Sequence, residues 1–254
     1  MIRSGLVSIT FRQLDAAAVI AVARRAQLSG IEWGGDVHVP HGDAERAKIV
    51  RSMTGDAGLT VASYGSYYRA GEAPSIKHPD FADVLKAAKA LGAPVIRVWA
   101  GNQPSGKAGE VYRKAVIDDS VRIARMAESE DIKIAFEYHM NTLTDTSVSA
   151  VNLLNQAGHP NLSCYWQPPV DLDAAAAQEG LQAISPWLSH LHVFYWPRTQ
   201  ERRPLSEGSA QWRSYFDLIQ AVPGDRYAML EFVLRDDPEQ AVNDAMTLNR
   251  LLDI

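Results

Sequence analysis

A single (β/α)8 barrel of the TIM-barrel class, spanning residues 1–254, is the fold this sequence predicts, and three observations predict it. Short β-branched or aromatic runs alternate eight times with longer alanine-rich amphipathic stretches. Eight such units in 254 residues match the size of a closed barrel. A doubly wound sheet would usually show a glycine-rich phosphate turn after its first strand; none is present, and no linker or low-complexity tract marks a second domain.

The units follow in order. GLVSIT (5–10) leads to a helix from near Leu14, and GIEWGG (30–35) to one from Asp43. TVASYG (60–65) precedes a helix opening near Pro79, and PVIRVWAG (94–101) one near Gly109. KIAFEYH (133–139), LSCYWQ (162–167), LSHLHVFYW (188–196) and YAMLEFV (227–233) precede helices from Asp145, Asp171, Ala210 and Pro238. Asp at a helix start accepts from free N–H groups, and Pro there gives up no bond. The stops LSG, AGL and LGAP place glycine or proline where a helix must end before the next strand.

Composition narrows the partners. With 46% hydrophobic and 22% charged residues, the chain has the makeup of a soluble globular protein. A net charge of -5 argues against nucleic acid or an anionic membrane, since both need a basic face, and leaves a small molecule as the default partner. The lone Cys164 excludes a disulfide framework and fits a cytoplasmic location. MIRSGLVSITFRQLD has too short an apolar stretch for a signal peptide, and no run reaches membrane-spanning length.

Glu137, Gln167, His192 and Glu231 each end one of four successive apolar runs, IKIAFE, LSCYWQ, LSHLH and YAMLE. Strand-end side chains on the C-terminal face of a barrel converge at its mouth. The quartet therefore reads as a metal site. Two carboxylates, an amide oxygen and an imidazole suit a divalent ion, Mn²⁺ first, with Mg²⁺, Co²⁺ or Zn²⁺ as alternatives. Taken singly, the glutamates could be paired structural carboxylates and His192 a core histidine; the coincidence of four positions raises the metal reading.

With these residues in place, the whole chain resembles the xylose isomerase-like TIM barrels, a group of sugar-phosphate isomerases, ketose epimerases, dehydratases and relatives. Its Glu, Asp, His-x-His, Glu pattern falls on Glu137, Gln167, His190-Leu191-His192 and Glu231, at intervals of 30, 25 and 39 residues. A proline–glycine–tryptophan segment has its counterpart in Pro204, Gly208 and Trp212, and Arg198 falls where related epimerases place a substrate-contacting arginine. Two departures matter: Gln167 stands where the family usually has aspartate, and Val170 where related epimerases use a histidine on substrate. The resemblance implies that Glu137 and Glu231 exchange protons with a substrate, each also ligating the ion, and that the protein is a homo-oligomer.

Other candidates are weaker. His139 shares strand parity with Glu137 and could bind a sugar hydroxyl; Trp99 could wall a sugar face; Tyr64, with Tyr67 and Tyr68, could line the pocket. For His139, capping the barrel rim is an equal outcome; for Trp99, a place in the core is the more frequent one; and the tyrosines could simply pack. Glu32 and Trp33 end the second strand, where a salt bridge and a substrate contact are both open, and His38 and His41 lie in a segment of loop-like composition. The loop WPRTQERRPL reads as a solvated lid with one inward arginine, so a phosphorylated substrate is not implied.

The expected function is a metal-dependent isomerase or epimerase of a small keto-sugar or related polyol derivative, acting through an enediolate. The same site could serve a lyase, either a dehydratase or a β-eliminating enzyme of 3-keto glycosides. A non-catalytic carbohydrate-binding or partner subunit, with Gln167 marking a decayed site, is the third reading.

Overall fold

Eight strands run side by side in chain order in the computed structural model: β1 (Ile2–Val7), β2 (Gly30–Gly34), β3 (Thr60–Arg69), β4 (Val95–Trp99), β5 (Lys133–Phe136), β6 (Leu162–Trp166), β7 (Leu188–Val193) and β8 (Arg226–Leu230). All pairings are parallel, and β8 returns to β1 in register from Ile2 opposite Arg226 to Leu6 opposite Leu230, closing the barrel. The structure describes residues 1–75, 78–170, 172–198 and 201–254. Among them, α1 (Ala16–Arg25), α2 (Ala44–Asp56), α3 (Phe81–Leu91), α4 (Glu110–Glu128), α5 (Ser147–Ala157), α6 (Ala174–Ile184), α7 (Ser209–Ile219) and α8 (Pro238–Leu251) alternate with the strands. None is long and apolar enough to cross a membrane.

The helix starts follow the expected chemistry. Asp15, Asp43, Asp80, Asp173 and Asp237 each accept from a first-turn N–H, and Thr146 does the same for α5. Gly92 (φ 72°) and Gly158 (φ 56°) end α3 and α5 in the left-handed region that a side chain disfavours. The expected start at Asp171 lies outside the described residues; α6 is capped by Asp173.

The first strand differs from expectation. It begins at Ile2 rather than Gly5, and Ser8–Phe11 forms a 3₁₀ turn. Ser8 Oγ accepts from Gly34 N–H and bonds His38 Nδ1 at 3.0 Å, which draws the chain out of the ladder. His38 Nε2 also lies 3.0 Å from the Leu14 carbonyl, so this buried histidine ties loops together.

Period-two alternation divides the strand side chains into two populations. Leu6, Ile31, Ile96, Phe136, Trp166 and Leu191 belong to the large apolar cluster shared with the helices. Val7, Val95, Ala135, Tyr165, Tyr227 and Met229 form a smaller cluster of their own, the barrel interior. Residues two further along β5, β6 and β8 than the interior residues Ala135, Tyr165 and Met229 are Glu137, Gln167 and Glu231. The interior parity that packs the barrel thus also aims these side chains at its mouth.

Candidate metal centre

Each of those three residues lies one position beyond its strand, yet the main chain still holds two of them. Glu137 N–H donates to the Val98 carbonyl at 2.9 Å, and Glu231 N–H to Val193 at 3.0 Å. Tertiary structure therefore fixes their side-chain origins as firmly as strand residues. His192 lies within β7, paired with Met229.

The quartet converges. His192 Nδ1 stands 3.1 Å from Gln167 Oε1, 3.4 Å from Glu231 Oε2 and 3.7 Å from Glu137 Oε1. One ligand atom each from Glu137, His192 and Glu231 falls within 4.8 Å of the others, and all three residues are buried. Atoms sharing a hard cation at about 2.1 Å stand about 3 to 4 Å apart, so the donor set and its spacing fit such an ion.

Two further charged residues lie against the quartet. Glu32 and Arg97 are 0% and 1% exposed. Arg97 donates from Nε to Glu32 Oε1 at 2.8 Å and from Nη1 to Glu137 Oε2. Trp99 Nε1 donates to that same Glu137 oxygen, leaving Oε1 as the one turned toward His192. Ser63 Oγ donates to Glu32 Oε2 at 2.8 Å, and Glu32 Oε1 lies 3.5 Å from His192 Nε2, too far for a well-aligned hydrogen bond. Three buried carboxylates therefore face one buried guanidinium, and two negative charges remain for a cation to balance.

The electrostatics follow from burial and that charge excess. Burial opposes ionisation of Glu32, but Arg97 and His192 outweigh it and bring the carboxyl down to about 2. Burial acts likewise on Glu137, where Arg97 prevails and holds the group well below the usual carboxylate range. Among the described residues no arginine pairs with Glu231; burial lifts it, with Glu137 adding to the lift against the pull of His192, to about 7. Burial would lower His192, yet the surrounding glutamates push it up to about 10, so in the metal-free protein the imidazolium is the counter-cation. His190 behaves oppositely: burial lowers it to about 4, and its Nδ1 accepts from Tyr227 N–H. It packs edge-on to Tyr165 and Tyr227 inside the barrel.

Gly65 on β3 makes room for the ion pair. A Cβ there would lie 2.7 Å from Arg97 Nη2 and 2.9 Å from Glu32 Oε1. Neither group has open space to retreat into. Gly65→Ala is expected to destabilise the protein by about 1–3 kcal/mol, read as a lower midpoint in thermal unfolding.

A cavity of about 280 Å³ opens beside the quartet, bounded by Glu137, Gln167 and Glu231 on one side and by Phe194, Trp196 and Phe232 on another. His139 lines it, half-buried and stacked on Trp99 with ring centroids 5.0 Å apart. Among the described residues no lysine or arginine lines this cavity.

The remaining expected site residues are placed elsewhere. Tyr64 is fully buried in the strand–helix layer, its hydroxyl donating to the Val39 carbonyl and meeting His41 Nδ1 at 2.8 Å, so it does not reach the cavity. Tyr67 turns toward the mouth instead, edge-on to Trp99 and beneath the Arg97 guanidinium. A register shift between Gly65 and Arg69, with Tyr67 at φ 55°, breaks the parity that would have placed it. Arg198 is exposed and outside the cavity lining; Arg202 is the loop arginine that leans on Phe232 and Trp196, paired with Asp236 at 2.5 Å. Arg97 was not among the sequence candidates. The available signal was an arginine inside the apolar run VIRVW, in step with Trp99.

The chain is similar to several known proteins. The chain is 28% identical over 103 residues to a 3-dehydroshikimate dehydratase of Bacillus anthracis, a match covering 38% of this chain and 35% of that protein. The solved structure of the probable 3-DHS dehydratase of Bacillus anthracis superposes with a TM-score of 0.79 at 17% identity, covering 97% of this chain and 98% of the other. D-psicose 3-epimerase of Clostridium cellulolyticum, solved with D-tagatose, superposes with a TM-score of 0.72 at 15% identity, covering 99% of each chain. The family model for the xylose isomerase-like TIM barrel matches residues 20–251. With its closed barrel and a mouth built from strand-end carboxylates and histidine, this chain belongs to the xylose isomerase-like TIM barrel family.

Proposed function

We propose that the protein is a metal-dependent enzyme that removes a proton from the carbon beside a carbonyl of a small, unphosphorylated polyhydroxylated substrate. The observation that carries this reading is the buried Glu137–His192–Glu231 cluster, which together with Glu32 and Arg97 leaves two negative charges for a divalent cation to balance once His192 is neutral. Glu137, Gln167, His192 and Glu231 would hold the ion. When bound, it supplies the Lewis acidity that makes such a carbon acidic and disperses the charge left by its proton. That no lysine or arginine among the described residues lines the cavity supports an unphosphorylated substrate.

The two glutamates are unequal. Glu137 has one oxygen occupied by Arg97 and Trp99 and is held strongly ionised, which makes it a ligand and a poor proton acceptor. Among the described residues no arginine or tryptophan holds a Glu231 oxygen as Arg97 and Trp99 hold Glu137, which leaves Glu231 the freer of the two to accept a proton. With Glu137 engaged by Arg97 and Trp99, Glu231 is the base and His139 the group placed to serve a leaving hydroxyl, an arrangement that suits elimination of water. In that reaction Glu231 takes the carbon-bound proton, a carbon–carbon double bond forms as the carbon–oxygen bond on the neighbouring carbon breaks, and His139, which lines the cavity, passes a proton to the departing hydroxyl to give water. The dehydratase relative supports this outcome. Isomerisation or epimerisation is the second reading, supported by the epimerase among the structural neighbours.

The manganese-loaded protein, incubated in D₂O with 3-dehydroshikimate and separately with D-tagatose, separates the two. Elimination is expected to yield a product lighter by one water; epimerisation preserves mass apart from incorporated deuterium. Loss of water from neither substrate, with deuterium entering D-tagatose, would refute the dehydratase reading.

A further inference from the structure

We infer that Glu32 and Arg97 are positioning residues for the cation site: Glu32 sets His192 to ligate through Nδ1, and Arg97 reserves one oxygen of Glu137 for the ion. The inference rests on the reading of Glu137, Gln167, His192 and Glu231 as that site. Neither Glu32 nor Arg97 lines the cavity beside it.

An imidazole can ligate through either nitrogen, and the partner of the other nitrogen decides which. His192 turns Nδ1 toward Gln167, Glu231 and Glu137, at 3.1 to 3.7 Å. Its Nε2 faces a carboxylate, Glu32 Oε1 at 3.5 Å, and has no hydrogen-bonded partner among the described residues. An ionised acceptor on that side keeps the last ring proton on Nε2 and leaves the Nδ1 lone pair for the cation. Tyr165 packs edge-on to the ring at 5.2 Å, which opposes a flip.

Glu32 is itself held by Arg97 Nε and Ser63 Oγ, both at 2.8 Å. The same guanidinium reaches Glu137 Oε2, where Trp99 Nε1 also donates. Two donors saturate that oxygen, so Oε1 alone faces the cation position. The planar guanidinium ties both carboxylates into one rigid frame, which a flexible lysine ammonium would not do. Replacing both members of a buried ion pair by well-packed apolar groups is often neutral or better, although here Glu137 also loses its guanidinium.

The test uses metal-stripped full-length protein titrated with Mn²⁺, with free ion followed by electron paramagnetic resonance. Glu32→Gln, Arg97→Lys and the charge-free double variant Glu32→Leu/Arg97→Met are compared with wild type. The expected result is affinity about 10- to 100-fold weaker in each, with cooperative unfolding retained in the double variant. In parallel, nitrogen-15 spectra of the Zn²⁺-loaded wild type are expected to show His192 ligated through Nδ1 with its proton on Nε2, a readout that needs no variant to fold. A folded double variant binding Mn²⁺ within about twofold of wild type, or ligation through Nε2, would overturn the inference and leave the metal site standing. Wild type that binds no Mn²⁺ removes the site itself, and the positioning roles with it.

Discussion

Glu231→Gln is expected to lower kcat by two to four orders of magnitude, the usual worth of a positioned general base, while the barrel stays folded. Glutamine preserves the shape and one ligating oxygen but cannot accept the proton. Glu137→Gln is expected to fail differently. Its amide would place N–H donors opposite those of Arg97 and Trp99, so the ligand is misplaced and Mn²⁺ affinity falls first. Saturating Mn²⁺ should therefore recover a measurable part of the Glu137→Gln activity and none of the Glu231→Gln activity. Steady-state kinetics across a Mn²⁺ series measures both. Equal, unrecoverable losses would instead restore a symmetric two-glutamate exchange.

The second large effect is on stability, and its sign depends on pH. In the metal-free protein Glu231 is raised to about 7 and His192 to about 10, so folding takes up protons at both. The stability from protonated Glu231 is present below the ordinary carboxylate value of 4.5 and is lost as pH rises to about 7; that from His192 is present below 6.5 and is lost as pH rises to about 10. Glu32 and Glu137 run the other way, contributing above 4.5 and losing their contribution as pH falls toward 2 and below. The metal-free protein should thus lose stability progressively on the alkaline side. A divalent ion substitutes for those protons and should abolish the decline. At pH 7, binding is expected to release about one and a half protons: a full one from His192 and half of one from Glu231. At a free Mn²⁺ concentration a thousand times Kd, the ion adds about 4 kcal/mol, or about 8 to 16 °C in Tm for a domain of this size. Differential scanning fluorimetry with and without chelator from pH 5 to 9, and calorimetry in two buffers, would measure these effects. A Tm indifferent to chelation across that range would sink the metal reading.

Much of the site was legible because barrel strands obey a two-residue period. Glu137, Gln167, His192 and Glu231 share the parity of the interior residues of their own strands, and their spacing of one βα unit made convergence the natural expectation. Where the period breaks, reading by parity breaks with it. The irregular end of β3 turned Tyr67 toward the mouth and buried Tyr64 behind it. In the loop after β7, sequence position pointed to Arg198, whereas the arginine packed over Phe232 is Arg202, because the pairing of Arg203 with Tyr195 and the salt bridge to Asp236 set the loop's path.

The sequence by itself determined the eight-unit barrel, most of its helix starts and the meeting of four strand-end side chains at its mouth, since each depends on local period, capping chemistry or spacing along one chain. Only the tertiary structure decided how those residues differ from one another. Closing the barrel brings Glu32 of β2 and Arg97 of β4 against Glu137 and His192, and that contact leaves Glu137 strongly ionised and Glu231 near neutrality. A carboxylate's role depends on which charges lie within a few ångströms of it, and those charges come from strands far apart in sequence.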